Sequence, residues 1–61
     1  MAITKDTLIG EIVRESPEKI RVLMQQGLGC VGCPGAQMES VEEAATVHGL
    51  DVERLLTELN A

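Results

Sequence analysis

No Phe, Tyr or Trp occurs in this sequence, so any core has to be built from aliphatic side chains. The same absence removes the aromatic surfaces on which proteins commonly stack bases. Basic residues are also scarce, because five Lys and Arg stand against ten Asp and Glu, giving a net charge of −5. An acidic chain repels phosphate backbones and anionic lipid. We therefore expect neither a nucleic-acid partner nor binding to a membrane surface.

Long apolar runs are missing as well, since none approaches the roughly 20 residues that span a bilayer. Residues 1–6 do not place a basic segment before an apolar one, as a secretory signal would. This pattern predicts a cytoplasmic protein. In that reducing compartment, two cysteines are more often catalytic or metal-binding than a permanent disulfide.

Alternating strand patterns and Asn-Gly turns are absent too, and apolar residues recur at helical spacing instead. We predict an all-α fold in which residues 1–61 form one compact bundle of four main short helices. The first helix is predicted from about Thr7 to Glu15, with Asp6 or Thr7 as its N-cap.

The second helix is predicted from Pro17 to about Gln26. Ser16 is a suitable N-cap for it, and proline suits the first helical position. Gly27 is predicted to end the helix in the left-handed conformation. The buried face of this helix is predicted to consist of Ile20, Leu23 and Met24.

Two further helices are predicted in the second half of the chain. Ser40 and Glu43 have the spacing of a capping box, and Gly49 is expected to end the helix that this box opens. Asp51 is predicted to cap the last helix. The apolar faces of the two helices are Val41, Ala44, Ala45 and His48, and Val52, Leu55, Leu56 and Leu59, respectively.

Between the two pairs of helices lies a glycine-rich loop, residues 27–35, which holds both cysteines of the chain. Glycine loses the most backbone freedom on folding, so it is typical of places where unusual dihedrals are required. Pro34 suits the start of a short extra helical turn, with Cys33 in the N-cap place. The candidate site is therefore the dithiol of Cys30 and Cys33, separated by Val31 and Gly32.

The first interpretation of this motif is thiol–disulfide exchange. A helix that begins at Pro34 would favour a thiolate on Cys33, through its free N–H groups and its dipole. Accessibility favours Cys30 as the attacking sulfur, and we prefer Cys30 while leaving the choice open. The nearest basic side chains are distant in sequence, so the helix terminus would be the main source of activation.

The second interpretation is metal binding. A structural zinc site needs four ligands, and within one chain only His48 and carboxylates would complete the two thiolates. A homodimer would bring together two Cys-x-x-Cys pairs for zinc or an iron–sulfur cluster. The third interpretation is a structural interaction domain in which the cysteines are small buried residues of a tight turn.

The loop core, residues 29–36, and the ending, residues 48–60, resemble those of the hybrid-cluster-protein-associated redox disulfide domain family. The opening, residues 3–7, and the Ser16-Pro17-Glu18 restart fit the same family. The resemblance implies a compact helical domain, a Cys30–Cys33 redox pair and an association with the hybrid cluster protein. A more distant likeness to the N-terminal domain of iron–sulfur cluster repair proteins supports the cluster alternative.

We interpret the chain as a redox-disulfide accessory module that exchanges electrons with a protein partner. Cys30 and Cys33 are its catalytic candidates, no resident cofactor is expected, and the chain is not expected to act as a free-standing enzyme. The alternative is a zinc or iron–sulfur module that uses the same cysteines from two chains.

Overall fold

The computed structural model describes residues 2–29 and 34–61. Its α-helices are α1 (Ile9–Glu15), α2 (Ile20–Gln25), α3 (Pro34–Gln37), α4 (Val41–His48) and α5 (Val52–Leu59), with a 3-10 turn at Pro17–Lys19. The fold measures 24 × 23 × 20 Å. None of the helices within these ranges is long and apolar enough to cross a membrane. The all-α prediction, with four main helices and a short extra turn at Pro34, is confirmed.

The core is aliphatic, as the composition requires. Its buried members are Ile3, Ile9, Ile12, Leu23, Leu28, Val41, Ala44, Ala45, Leu55 and Leu59. Leu23 is fully buried, but Met24 is 56% exposed, so the prediction that Met24 faces the core was wrong. The chain turns at Gly27 and carries Leu28 back into the core beside Leu23, and Leu28 supplies the apolar cover on this side.

The start of α1 is joined to the start of α4 by an isolated antiparallel bridge between Leu8 and Ser40. The first N–H of α1 donates to the Glu39 carbonyl oxygen at 2.8 Å, and the first N–H of α4 donates to the Thr7 carbonyl oxygen at 2.9 Å. These N–H groups have no partner within their own helices. The bridge therefore satisfies two helix beginnings at once.

The N-cap of α1 is Leu8, so the prediction of Asp6 or Thr7 was wrong. Leu8 is extended (φ −76°, ψ 143°) because it belongs to the bridge, which prevents the helix from beginning earlier. The Thr7 hydroxyl instead accepts the Thr4 N–H at 2.9 Å. Leucine has no acceptor for a capping bond, and only Glu11 reaches back, accepting the Leu8 N–H at 3.4 Å.

Ser16 does not cap the second helix through its side chain, which corrects another prediction. Its N–H donates to the Ile12 carbonyl oxygen at 2.8 Å, so Ser16 closes α1. Its ψ of 67° differs from the extended conformation that an N-cap normally takes. The next three residues form the 3-10 turn, and α2 begins only at Ile20.

Helices α4 and α5 both begin with the predicted side-chain caps. Ser40 Oγ accepts the Glu43 N–H at 3.1 Å, and the Glu43 carboxylate accepts the Ser40 N–H at 2.9 Å. The Asp51 carboxylate accepts the N–H groups of Glu53 at 3.0 Å and of Arg54 at 3.4 Å. These bonds satisfy N–H groups that a helix leaves free at its start.

Two glycines end helices in the left-handed conformation, as predicted. Gly27 (φ +95°) follows α2 and Gly49 (φ +67°) follows α4. After each glycine the next residue bonds back into the helix. Leu28 N–H donates to the Leu23 carbonyl oxygen at 3.0 Å, and Leu50 N–H donates to the Ala45 carbonyl oxygen at 2.8 Å. This is the Schellman pattern, and it turns an apolar residue inward in both places.

The two ends of the described chain are held together by the Asn60 side chain. Asn60 Oδ1 accepts the Ile3 N–H at 2.9 Å, and Asn60 Nδ2 donates to the Ile3 carbonyl oxygen at 2.8 Å. Nδ2 also donates to the Leu56 carbonyl oxygen at 2.9 Å. The Asn60 amide thus makes the two backbone hydrogen bonds that a neighbouring strand would otherwise make to Ile3, which is only 4% exposed.

Candidate functional site

The predicted site residues, Cys30 and Cys33, lie outside the described residues, and so does the predicted N-cap role of Cys33. We call residues 30–33 the cysteine segment. What the structure describes is the chain on either side of it, from Leu28 after α2 and from Pro34 at the start of α3. The described part of the site therefore consists of the two anchors that flank the cysteine segment.

The upstream anchor is the end of α2. Gly27 N–H donates to the Met24 carbonyl oxygen at 3.1 Å, and Leu28 bonds back to Leu23. The Leu28 side chain is 4% exposed and belongs to the core. Moving Leu28 would expose its side chain and break the Schellman bonds. The chain is therefore held in place two residues before the cysteine segment.

The downstream anchor is α3, which packs against α1. A helix of four residues is too short to be stable alone, so its stability has to come from tertiary contacts. One of these contacts is at Gly10, where a Cβ would lie 2.9 Å from the Gln37 carbonyl oxygen and 3.1 Å from Gln37 Cβ. Only a glycine allows α1 and α3 to approach this closely.

An open groove of about 730 Å³ lies along α1 and the end of α3. Leu8, Val13 and Met38 give it an apolar lining, and Glu11 and Arg14 add one charge of each sign. Met38 is 78% exposed and Leu8 is 39% exposed. Exposed apolar side chains grouped in a groove are typical of surfaces that bind other molecules.

The remaining candidates do not converge on a site. His48 is the last residue of α4 and is exposed, so it does not join the buried face of that helix. Met24 is exposed on α2. Among residues 2–29 and 34–61, no three His, Cys, Asp or Glu side chains are grouped so that they could hold a metal ion.

The contact at Gly10 and the clamp by Asn60 were not found from the sequence. A glycine inside an apolar helical pattern is a signal for close packing, and Gly10 carried that signal. Asn60 carried none, because its partner Ile3 lies 57 residues away and no local pattern connects the two.

Two solved structures share this fold. The solution structure of an uncharacterised protein from Methanocaldococcus jannaschii has 46% sequence identity and a TM-score of 0.88, covering 97% of this chain and 81% of that one. A solution structure from Clostridium thermocellum has 38% identity and a TM-score of 0.83, covering 98% of this chain and 86% of that one. No curated protein matches the chain significantly. The model of a family described as a domain of unknown function, DUF1858, matches residues 3–56, and the chain belongs to that family.

Proposed function

We propose that this domain is a redox accessory module in which Cys30 and Cys33 cycle between a dithiol and a disulfide. The observation that carries the proposal is the Cys-x-x-Cys spacing between two anchored points, Leu28 and α3. Two residues between the cysteines allow a small intramolecular ring to close. We place this cycle in the cytoplasm, where a dithiol can be turned over.

The proposed step is thiol–disulfide exchange with a partner protein that carries a disulfide. The thiolate of one cysteine attacks a partner sulfur, forming a mixed disulfide and releasing the other partner sulfur as a thiolate. The second cysteine of the module, as a thiolate, then attacks the mixed disulfide and releases the partner's first sulfur. The module ends as the Cys30–Cys33 disulfide, and the partner has gained two electrons and two protons.

The fixed anchors support this role because they favour closure over intermolecular pairing. A segment whose two ends are each held in place has less conformational freedom to lose when a ring closes. Leu28 is held by core burial and by the Schellman bonds. α3 is held against α1 at the contact between Gly10 and Gln37.

A protein partner is supported by the groove beside α3. Met38 follows α3 directly and is 78% exposed, and methionine side chains adapt well to different partners. The resemblance to the redox disulfide domain family names the hybrid cluster protein as the candidate partner. The first partner to test is therefore a purified hybrid cluster protein.

The experiment incubates the metal-stripped, reduced protein with glutathione disulfide and then alkylates the remaining free thiols. Intact mass is expected to show a monomer with no alkylated cysteine and two hydrogens fewer than the dithiol. Cys30→Ser and Cys33→Ser, measured alongside, are expected to form only mixed disulfides. Comparing how fast each variant is alkylated before oxidation also tests whether Cys30 or Cys33 is the attacking sulfur.

Each other outcome defeats the proposal in a distinct way. A disulfide that joins two chains would favour an interaction domain. Zinc, or visible absorbance, that accompanies the purified protein and is lost in Cys30→Ser would favour a metal or cluster shared between two chains. If the cysteines stayed reduced at every ratio of glutathione to glutathione disulfide, only the interpretation of the cysteines as structural residues would remain.

A further inference from the structure

We infer that the groove along α1 and the end of α3 is the contact face of a symmetric dimer, in which a second copy of this chain covers the groove. The inference goes beyond the proposed function and does not rest on it, because no cysteine takes part in the contact. Three features favour a second copy: the two charges of the groove, its exposed apolar side chains and the charge balance of the half of the chain that lines it.

The two charges make the groove complementary to itself. Glu11 and Arg14 stand three residues apart on α1, and helical spacing places them on the side opposite the buried Ile9 and Ile12. In a dimer with two-fold symmetry, every contact between two different residues occurs twice, once in each direction. Two α1 helices that cross antiparallel would therefore pair Glu11 of each chain with Arg14 of the other.

Both charged groups are available for this contact. Within residues 2–29 and 34–61, neither Glu11 nor Arg14 belongs to an ion pair. One oxygen of the Glu11 carboxylate accepts the Leu8 N–H at 3.4 Å, which leaves the other oxygen to accept a further bond. The Arg14 side chain is exposed. Pairing with a second copy would thus break no ion pair of the described chain.

Apolar side chains beside these charges would lose contact with water in the dimer. Met38 is 78% exposed and Leu8 is 39% exposed, and both line the groove. Burial of such side chains stabilises an association. One face of a molecule of 24 × 23 × 20 Å offers less than the roughly 800 Å² that each partner buries in a typical stable interface. We therefore expect a weak dimer.

The charge distribution favours an approach through this face. Residues 1–30 contain four acidic and four basic side chains, so the whole net charge of −5 is carried by residues 31–61. Only Gln37 and Met38 among the lining residues come from the acidic half. Repulsion between two acidic chains is therefore reduced when they meet through α1.

A dimer of this kind would regulate access to the groove. The proposed function places a partner protein on the same surface, so a second copy would compete with that partner. Self-association would then rise with the concentration of the chain, and the fraction open to the partner would fall.

The test measures the self-association of the full chain by sedimentation velocity over a range of concentrations. A thiol reductant and a metal chelator are present throughout, so neither a disulfide between chains nor a shared metal can produce a dimer. The groove variants are Glu11→Arg and Arg14→Glu, each alone and both mixed in equal amounts. Glu18→Arg and Arg21→Glu are matched controls, because these exposed residues have the same charges and spacing but do not line the groove. Circular dichroism verifies that each variant is folded.

We expect the wild type to dimerise with a dissociation constant on the order of 0.1 mM. Each groove variant alone should raise this constant at least about tenfold, because its substitution occurs twice in the dimer and replaces attraction by repulsion. The equal mixture should restore dimer formation, since Glu11→Arg and Arg14→Glu have opposite charges at the contact. Both control variants should stay within about threefold of the wild type.

A wild type that stays monomeric up to about 1 mM overturns the inference. Control variants that weaken the dimer as much as the groove variants also overturn it, and so does a mixture that does not recover. If the wild type is monomeric and Arg14→Glu weakens its binding to a purified hybrid cluster protein, the groove belongs to that partner and not to a second copy.

Should Glu11→Arg fail to fold, Arg14→Glu decides alone, because the exposed Arg14 side chain can be replaced without disturbing the core. An unchanged dissociation constant in a folded Arg14→Glu overturns the inference. Failure of Cys30 and Cys33 to form a disulfide would overturn the proposed function and would leave this result unaffected.

Discussion

One helix in each half of the chain ends in the same way, but the helices of the two halves begin differently. Gly27 and Gly49 end α2 and α4 with left-handed turns that send Leu28 and Leu50 back toward the core. At the beginnings, α4 and α5 have side-chain caps, whereas α1 and α2 have no side-chain cap bond. The beginnings of α4 and α5 are thus specified by local side chains, whereas those of α1 and α2 depend on the rest of the fold.

The bridge between Leu8 and Ser40 shows how this dependence works. Ser40 caps α4 with its side chain and at the same time pairs with the residue before α1. The beginning of α4, which has a side-chain cap, therefore pairs with the beginning of α1, which has none. The same pairing includes Glu39, whose carbonyl oxygen accepts the first N–H of α1. It therefore holds the chain just after α3 in place.

The largest effect is expected from removing core packing in the first half. Leu23→Ala should lower the free energy of unfolding by about 3 kcal/mol, since Leu23 is fully buried. Met24→Ala, one residue further, should change it by less than about 0.5 kcal/mol, because Met24 is 56% exposed. Urea unfolding of both variants measures the difference. Similar losses in the two would mean that α2 packs through a different face.

A smaller effect is expected from cutting the tie between the ends of the chain. Asn60→Ala removes both bonds to Ile3 and should lower the free energy of unfolding by about 1–2 kcal/mol. Thr57→Ala is the control, because its exposed hydroxyl bonds only within α5. If the two variants lost the same stability, the N-terminal residues would not depend on the amide of Asn60.

The difference between the halves is tested most simply at the helix beginnings. Ser40→Ala should lower the free energy of unfolding by about 1 kcal/mol, because it removes a capping bond. Asp6→Ala should be nearly neutral, since the Asp6 carboxylate caps nothing. Thermal unfolding gives both values. A loss in Asp6→Ala as large as that in Ser40→Ala would restore the local cap that the sequence predicted for α1.

The smallest effect is expected from the ion pair that also joins the halves. Lys5 Nζ and Glu42 Oε2 lie 4.0 Å apart, and both side chains are more than half exposed. A double-mutant cycle with Lys5→Ala and Glu42→Ala should give a coupling energy below about 0.5 kcal/mol. A larger coupling would mean that charges as well as backbone bonds hold the first half in place.

The sequence predicted what is encoded locally and missed what is encoded at a distance. Ser40, Asp51 and Gly49 act within four residues of themselves, so their roles were visible in the pattern. Leu8 was missed as the N-cap because its conformation depends on Ser40, and Asn60 was missed because its partner lies 57 residues away.

The candidate site divides in the same way. The helix end at Gly27 and the helix start at Pro34, which flank the two cysteines, were predicted from short-range rules. The docking of α3 against Gly10 required knowledge of which helices meet. The predicted roles of Cys30 and Cys33 stay predictions until their chemistry is measured.

The most direct test of the central claim is the reduction potential of the Cys30–Cys33 pair in the wild-type chain. Equilibration in buffers of defined potential, followed by thiol alkylation and intact mass, gives the fraction oxidised at each potential. We predict a reversible two-electron intramolecular couple between about −300 and −120 mV, the range of cellular thiol–disulfide proteins. A pair that forms no intramolecular disulfide at any potential in that range would contradict the account.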